Sequence, residues 1–163
     1  MSQVIDDTTF IGGYESKHMT MIENISRLSY SMYLNEEAYN ALKQMYDDLY
    51  KNTKKRFLVT NAYKSYDVLN LEENTSQAGY SEFQLGTSVS LKVNGIKDVE
   101  FVSTDVYQWL LEHSYEYGYV LRYPSDKVTI TQKESCNIFR YVGKENAQKM
   151  HNQNLCLEEL NNQ

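Results

Sequence analysis

Proline occurs once in this chain of 163 residues, at Pro124, and cysteine twice, at Cys136 and Cys156. The lone proline marks a turn, and no low-complexity tract or internal repeat accompanies it. Two cysteines are too few for a disulfide framework and form no C-x-x-C pair. They are read as two ordinary buried thiols or as one bridge. Histidine occurs three times, at His18, His113 and His151, and no pair has the i, i+4 spacing of a helical zinc motif. No run of 18 apolar residues is present, so no membrane-spanning helix is expected in the chain. No signal-peptide pattern opens it, and no compartment follows from that. Basic residues are outnumbered, with 16 Lys and Arg against 22 Asp and Glu and a net charge of -6. A phosphate-tracking surface needs clustered cations, so a nucleic-acid partner is excluded. The one compact basic run, Lys54-Lys55-Arg56, is expected to cap a helix end.

What is present suits one globular domain. Hydrophobic residues make up 41% and charged residues 23%, and the length allows a sizeable core. Fifteen tyrosines are the compositional excess. They fit a wet binding groove, since tyrosine joins an apolar ring to a hydroxyl, and they fit biased codon usage equally well.

Residues 1–33, with Gly12-Gly13 and no clear periodicity, read as an N-terminal arm carrying a short strand at most, and residues 34–163 as the domain. Asn35 is a good N-cap, with Glu36 and Glu37 in the first turn. Ala38, Ala41, Leu42, Met45 and Leu49 continue as one helical stripe. Phe57–Thr60 reads as a strand, 66–72 as a brief helix, and Glu82–Val93 as one long strand closed by an Asn94-Gly95 hairpin. Val99–Val102 is the expected returning strand. Ser103-Thr104-Asp105 caps a second helix with the stripe Val106, Trp109, Leu110 and Ser114, ending before Gly118. Tyr119–Arg122, Val128–Thr131 and Ile138–Val142 read as strands, and 145–152 and 157–160 as closing helices. The order predicts an α+β fold, a small mainly antiparallel sheet flanked by helices.

Five stretches in order carry a resemblance: "LNEEAYNALKQMYDDLY", "VTNAYKSY", "AGYSEFQLGTSVSL", "WLLEHSYEYGYVLRYPSDK" and "IFRYVGKENAQKM" with its "LCLEEL" ending. Together they resemble the VanY-type D-alanyl-D-alanine carboxypeptidases, zinc peptidases of the peptidoglycan stem peptide. The closest block is similar to W-L-x-x-N-A-x-x-Y-G-F-x-L-R-Y-P-x-x-K. The others resemble V-x-S-G-Y-R-S-Y, P-G-x-S-E-H-Q-x-G-x-A-x-D and E-P-W-H-x-R-Y-V-G. The resemblance implies the DD-carboxypeptidase, Hedgehog-like fold. It also implies a zinc site of two histidines and an aspartate, a glutamate base and a substrate-steadying arginine.

At those positions this chain departs from the pattern. The first histidine falls on Phe83, the aspartate on Ser90 and the second histidine on Ile138. The base falls on Ser135, or on Glu134 in a register that puts Asn137 at the histidine. Phe and Ile offer no lone pair to a metal, and Ser and Asn are poor zinc ligands. Lys64 replaces the arginine, keeping charge but losing the bidentate fork. No histidine falls on a ligand position, and Cys136 alone makes no site. Tyr63, Lys64, Ser81, Gln84 and Arg140 remain as candidate ligand-cleft residues. For Arg122 and Arg140 structural salt bridges beside the sheet are weighed against a binding role, and expected to prevail.

The reading is therefore a homologue that has lost catalysis and uses no zinc, a pseudoenzyme acting as a binding or interaction module. By resemblance it is placed outside the cytoplasm, at the bacterial cell envelope or secreted, with a stem peptide or an envelope protein as partner. Two alternatives stay open: an active carboxypeptidase with displaced metal ligands, and a scaffold acting only through a protein partner.

Overall fold

The computed structural model describes residues 3–5, 9–71 and 78–162. Two three-residue strands, β1 (Met19–Met21) and β2 (Tyr33–Asn35), pair antiparallel and lead into helix α1 (Glu36–Thr53). The N-cap expectation holds in detail: Asn35 Oδ1 accepts from Glu37 N–H at 3.1 Å and Ala38 N–H at 3.5 Å. Lys54 closes the helix in the left-handed conformation, its N–H donating to Tyr50 O. The buried stripe is Ala38, Leu42, Met45, Tyr46 and Leu49.

A four-stranded antiparallel sheet forms the centre, built from β3 (Leu58–Asn61), β4 (Ser88–Lys92), β5 (Tyr119–Tyr123) and β6 (Ser135–Tyr141), in the order β3-β4-β6-β5. Strand alternation splits it into two faces. Val59, Val89, Leu91, Tyr119 and Phe139 point to the main core, with α1 and α4 (Asp105–His113). Tyr119 also anchors the sheet to α1, its hydroxyl donating to Ala38 O at 2.7 Å. On the other face Val120 packs with Val142 against α6 (Lys144–Gln153) and α7 (Leu157–Asn161). Arg122 and Arg140 belong to that face too, and so do Ser88, Ser90 and Ile138 by the pairing register. The arm is part of the fold, because Ile22, Ile25 and Met32 join the main core.

Three expected strands are corrected. The stretch Glu82–Val93 is not one strand: a 3₁₀ turn, Glu82–Leu85, ends at Gly86 with φ 70°, and only Ser88–Lys92 is extended. Ser81 favours that turn, its Oγ accepting from Phe83 N–H at 3.3 Å. Val99–Val102 does not return as a hairpin partner after Asn94-Gly95. Both edges of β4 are already taken by β3 and β6, and Asp98–Phe101 forms helix α3, burying Phe101 and exposing Val99. Val128–Thr131 is helix α5, whose β-branched residues suggested a strand. Thr131 Oγ1 instead donates to Lys133 O at 2.7 Å, with Lys127 O 3.2 Å away, and Val128 and Ile130 are exposed. The brief helix expected near 66–72 is α2 (Tyr66–Leu71), residue 72 lying outside the described residues.

Gly118 ends the 3₁₀ turn after α4 and turns the chain into β5 with φ 85°. A Cβ here would lie 3.0 Å from Gly143 C and Lys144 N, atoms of backbone that cannot rotate away. Gly118→Ala is expected to cost about 1–3 kcal/mol, read as a lower midpoint in urea unfolding.

Candidate functional site

The turn at 79–86 is built around Glu82, whose side chain is 4% exposed. Its Oε2 accepts from Arg140 Nη1 at 2.6 Å and from Ser88 Oγ at 2.9 Å, and its Oε1 accepts from Arg122 Nε. Arg122 Nη2 lies 2.8 Å from Glu158 Oε1. Two guanidiniums thus meet two carboxylates with no net charge. Burial pushes the Glu82 carboxyl up, but the charges of Arg140 and Arg122 and their hydrogen bonds outweigh it and hold it below the usual range. Burial lowers Arg122, and Glu82, Tyr123 and Glu158 raise it further, so it stays charged. Residues 3–5 lie across the cluster, with Gln3 O accepting from Arg140 at 3.1 Å and Ile5 O from Arg122 at 3.4 Å.

Gln84 is buried and ties the arm to the turn. Its Nε2 donates to Gly12 O at 2.8 Å and Tyr14 O at 2.9 Å, while its Oε1 accepts from Gly79 N–H at 3.0 Å. Ile11 N–H adds a bond to Gly79 O at 2.8 Å. Gln84→Ala leaves a buried donor and two carbonyls unmatched, so a loss of about 1–3 kcal/mol is expected. Amide exchange at Ile11 should accelerate well before exchange in α1, which hydrogen-exchange mass spectrometry would read.

Of the positions expected for the family's metal ligands, two are brought face to face. Ser90 and Ile138 are direct cross-strand partners, and Ser90 also pairs with Asn61. Phe83 O accepts from Lys64 N–H at 3.3 Å, which sets Phe83 beside the chain leaving β3. Ser90 is buried, while Phe83 and Ile138 are half-buried. The donor set does not fit zinc: one hydroxyl stands with a phenyl and a sec-butyl group where two imidazoles and a carboxylate are needed. Among the described residues no group of three His, Cys, Asp or Glu comes together that could hold a metal. His18 lies on the arm, His113 Nδ1 is 3.2 Å from Glu116 Oε1, and His151 stacks on Tyr115 with centroids 3.7 Å apart. Ser135 Oγ donates to Asn137 Oδ1 at 2.8 Å. Glu134 and Ser135 line a separate cavity of about 260 Å³ with Tyr107, Tyr123 and Cys136. Both cysteines are free thiols, and burial pushes Cys156 up to about 11.

Of the candidate cleft residues, Tyr63 and Lys64 line an open cavity of about 520 Å³ next to these positions. Ser81, Gln84 and Arg140 are buried and engaged in the bonds above. Burial raises the Tyr63 hydroxyl, with Glu15 and Tyr14 adding to the shift. Sequence reasoning missed its other wall, where Ser29, Ser31 and Tyr33 stand opposite Asn61. The signal was the run "SRLSYSMY", dense in hydroxyls but without periodicity. The tyrosine excess divides between roles, since Tyr46 and Tyr119 are core while Tyr33 and Tyr63 line the cavity.

A small antiparallel sheet with helices on both faces, and a 3₁₀ turn leading into β4 beside β6, define the zinc DD-peptidase class of fold. The family model for VanY, D-alanyl-D-alanine carboxypeptidase, matches residues 31–144, more than half of the chain. The chain belongs to this family. It is 45% identical over 86 residues to a D-alanyl-D-alanine carboxypeptidase of Enterococcus faecalis, covering 52% of this chain and 31% of that protein. It is 32% identical over 152 residues to one of Enterococcus faecium, covering 88% and 49%. The chain thus spans from about a third to a half of these relatives' length. Among solved structures, the LD-carboxypeptidase LdcB superposes with TM-score 0.87 at 27% identity, covering 97% of this chain and 84% of LdcB. VanYB in complex with D-Ala-D-Ala superposes with TM-score 0.76 at 26% identity, covering 99% and 97%. Among the described residues no helix is long and apolar enough to cross a membrane.

Proposed function

We propose that this chain is a catalytically inactive member of its family, a zinc-less module that binds at the cell envelope outside the cytoplasm. The observation that carries this reading is the pairing of Ser90 with Ile138, beside the turn bearing Phe83. Zinc catalysis needs an open tetrahedral site that lowers the pKa of bound water, and these side chains supply no such site. No step of peptide hydrolysis is therefore assigned to them. What the cleft keeps is a rim of Tyr63 and Lys64, where a cation and a phenol can meet a peptide carboxylate without a metal. Phe83 and Ile138 make its deeper part apolar, so a charged ligand binds only shallowly. A peptidoglycan stem peptide fits this description, and VanYB, solved in complex with D-Ala-D-Ala, supports that ligand class.

Elemental analysis of protein purified without chelator, together with an assay of D-alanine release from a pentapeptide ending in D-Ala-D-Ala, tests the reading. Neither bound zinc nor released D-alanine is expected. Stoichiometric zinc with D-alanine release would establish an active enzyme with displaced ligands instead. Titration with the same peptide is expected to shift the amides of Tyr63 and Lys64 at millimolar concentration, and no shift there would leave a scaffold working through a protein partner.

A further inference from the structure

The cavity of about 260 Å³ lies between α4, the end of α3 and the loop that joins β5 to β6. Leu121 on its wall pairs with Phe139 and so points to the main core, whereas Ser90 and Ile138 point to the opposite face of the sheet. Its size, a little under the ~300–1,000 Å³ of ordinary small-molecule sites, limits an occupant to one ring or a short chain. Tyr107 is only 8% exposed, and its ring packs on Phe101 with centroids 5.1 Å apart. Its hydroxyl makes no hydrogen bond to any described residue. Burial raises that hydroxyl and Cys136 adds to the shift, so it is a neutral group able to donate or accept. A buried phenol usually has a partner. An unmatched one on a cavity wall marks where a ligand's polar atom belongs.

The lining changes character from inside to outside. Inside, Tyr107 and Tyr123 are buried, and Leu121 and the Cys136 thiol are half-buried. Val102 and Leu111 carry the apolar wall to the surface. At the rim, beside Pro124, Ser125 and Ser135, Asp126 and Glu134 are exposed carboxylates. Asp126 Oδ2 accepts a long bond of 3.4 Å from Asn154 Nδ2. No cation lines the cavity among the described residues. Beside it, Lys127 Nζ is 2.9 Å from Glu159 Oε2, Arg122 is held by Glu82 and Glu158, and Lys133 Nζ lies 5.9 Å from the Tyr123 ring. Two carboxylates repel an anion, and a wholly apolar occupant would leave the Tyr107 hydroxyl unmatched. The walls favour a molecule of three parts. An uncharged polar tip meets Tyr107, an apolar body lies along Leu111 and Leu121, and a cation meets Asp126 and Glu134.

We propose that this cavity binds a small amphipathic primary amine with a hydroxyl at its far end. The net charge of -6 favours the approach of such a cation. The site needs neither the loss of zinc nor the peptide contact at Tyr63 and Lys64, so either reading can fail without the other.

The test is a titration of nitrogen-15-labelled protein with tyramine, whose hydroxyl, ring and ammonium supply the three parts. Saturable shifts are expected at the amides of Tyr107, Leu111, Leu121 and Cys136, with those of Tyr63 and Lys64 unmoved. Bound tyramine should also slow alkylation of Cys136 by N-ethylmaleimide, followed by peptide mass mapping. Phenethylamine, which lacks the hydroxyl, should bind about tenfold more weakly, as loss of one hydrogen bond does. Tyr107→Phe should bring tyramine to that same level and leave phenethylamine unchanged. Asp126→Asn combined with Glu134→Gln should weaken both amines roughly ten- to a hundredfold, and para-hydroxyphenylacetate should not bind. These substitutions keep side-chain shape, and thermal midpoints show that the variants fold. No saturable shift with tyramine at millimolar concentration would overturn the site. So would a tyramine affinity that Tyr107→Phe or the carboxylate variant leaves intact, or equal binding of para-hydroxyphenylacetate.

Discussion

Glu82→Ala is expected to lower the unfolding free energy by about 3–5 kcal/mol, the cost of leaving buried charge without its partner. That is a large share of the roughly 5–15 kcal/mol that holds a domain of ordinary stability together. The magnitude comes from geometry: both guanidiniums are wholly buried, and among the described residues Glu82 is the one carboxylate that bridges both, while Glu158 reaches only Arg122. Removing Glu82 leaves Arg140 with the carbonyl of Gln3 and no carboxylate. A second substitution separates lost charge from lost packing. Arg140→Met in the Glu82→Ala background should recover part of the loss, because the pair is then removed together. The exposed pair Lys55–Asp105 is the contrast, and Lys55→Ala should leave the denaturation midpoint nearly unchanged. Urea denaturation of the four proteins checks the set, and equal losses in the single and double variants would assign the effect to packing.

The same carboxyl sets an acid limb. Its folded pKa is depressed, so its contribution is fully present above the unfolded value of about 4.3. It is lost as pH falls from there through the folded value. Stability of the parent chain should therefore drop below about pH 4.3, and Glu82→Ala should flatten that part of the curve.

How far the sequence disclosed all this depended on the kind of signal. Local rules were sufficient for α1, because Asn35, the two glutamates and the apolar stripe all sit within the helix they specify. They failed at Val99–Val102, where both edges of β4 were already occupied, and at Val128–Thr131, where Thr131 bonds locally to the backbone instead of joining the sheet. Asn94-Gly95 is a sound turn signal, but a turn does not dictate the type of the next element. The positions expected for the family's metal ligands were legible only through the order of five motifs. That Ser90 and Ile138 face each other is a matter of strand register that no local pattern carries. Gln84 and Arg140 illustrate the opposite difficulty. A polar residue in a motif reads as a candidate ligand contact, but Gln84 is buried holding the arm, while Arg140 takes the salt-bridge role that was weighed as the stronger reading, holding Glu82.

Restoring the missing donors should restore the metal. The triple substitution Phe83→His, Ser90→Asp and Ile138→His is expected to take bound zinc from below about 0.1 to about one ion per chain, since three protein ligands and a water complete a tetrahedral site. Cross-strand partners have Cβ atoms about 4.5–5.5 Å apart, a separation that two ligands of one ion can span, and Ser90 and Ile138 are such partners. Without zinc the new aspartate is a charge at a buried position, so the metal-free variant should be less stable than the parent. Adding zinc at a hundredfold excess over Kd should then stabilise it by about 2.7 kcal/mol, with no effect on the parent chain. Single substitutions should bind only weakly, because one donor makes no site. Hydrolysis should still be absent, as Ser135 offers no carboxylate to act as base and Glu134 lines the separate cavity beside Tyr107. Inductively coupled plasma analysis after dialysis and thermal unfolding with and without zinc read the outcome. A triple variant that folds yet takes up no zinc would show that these three positions do not converge on one point, and the inherited site would have to be sought elsewhere on the sheet.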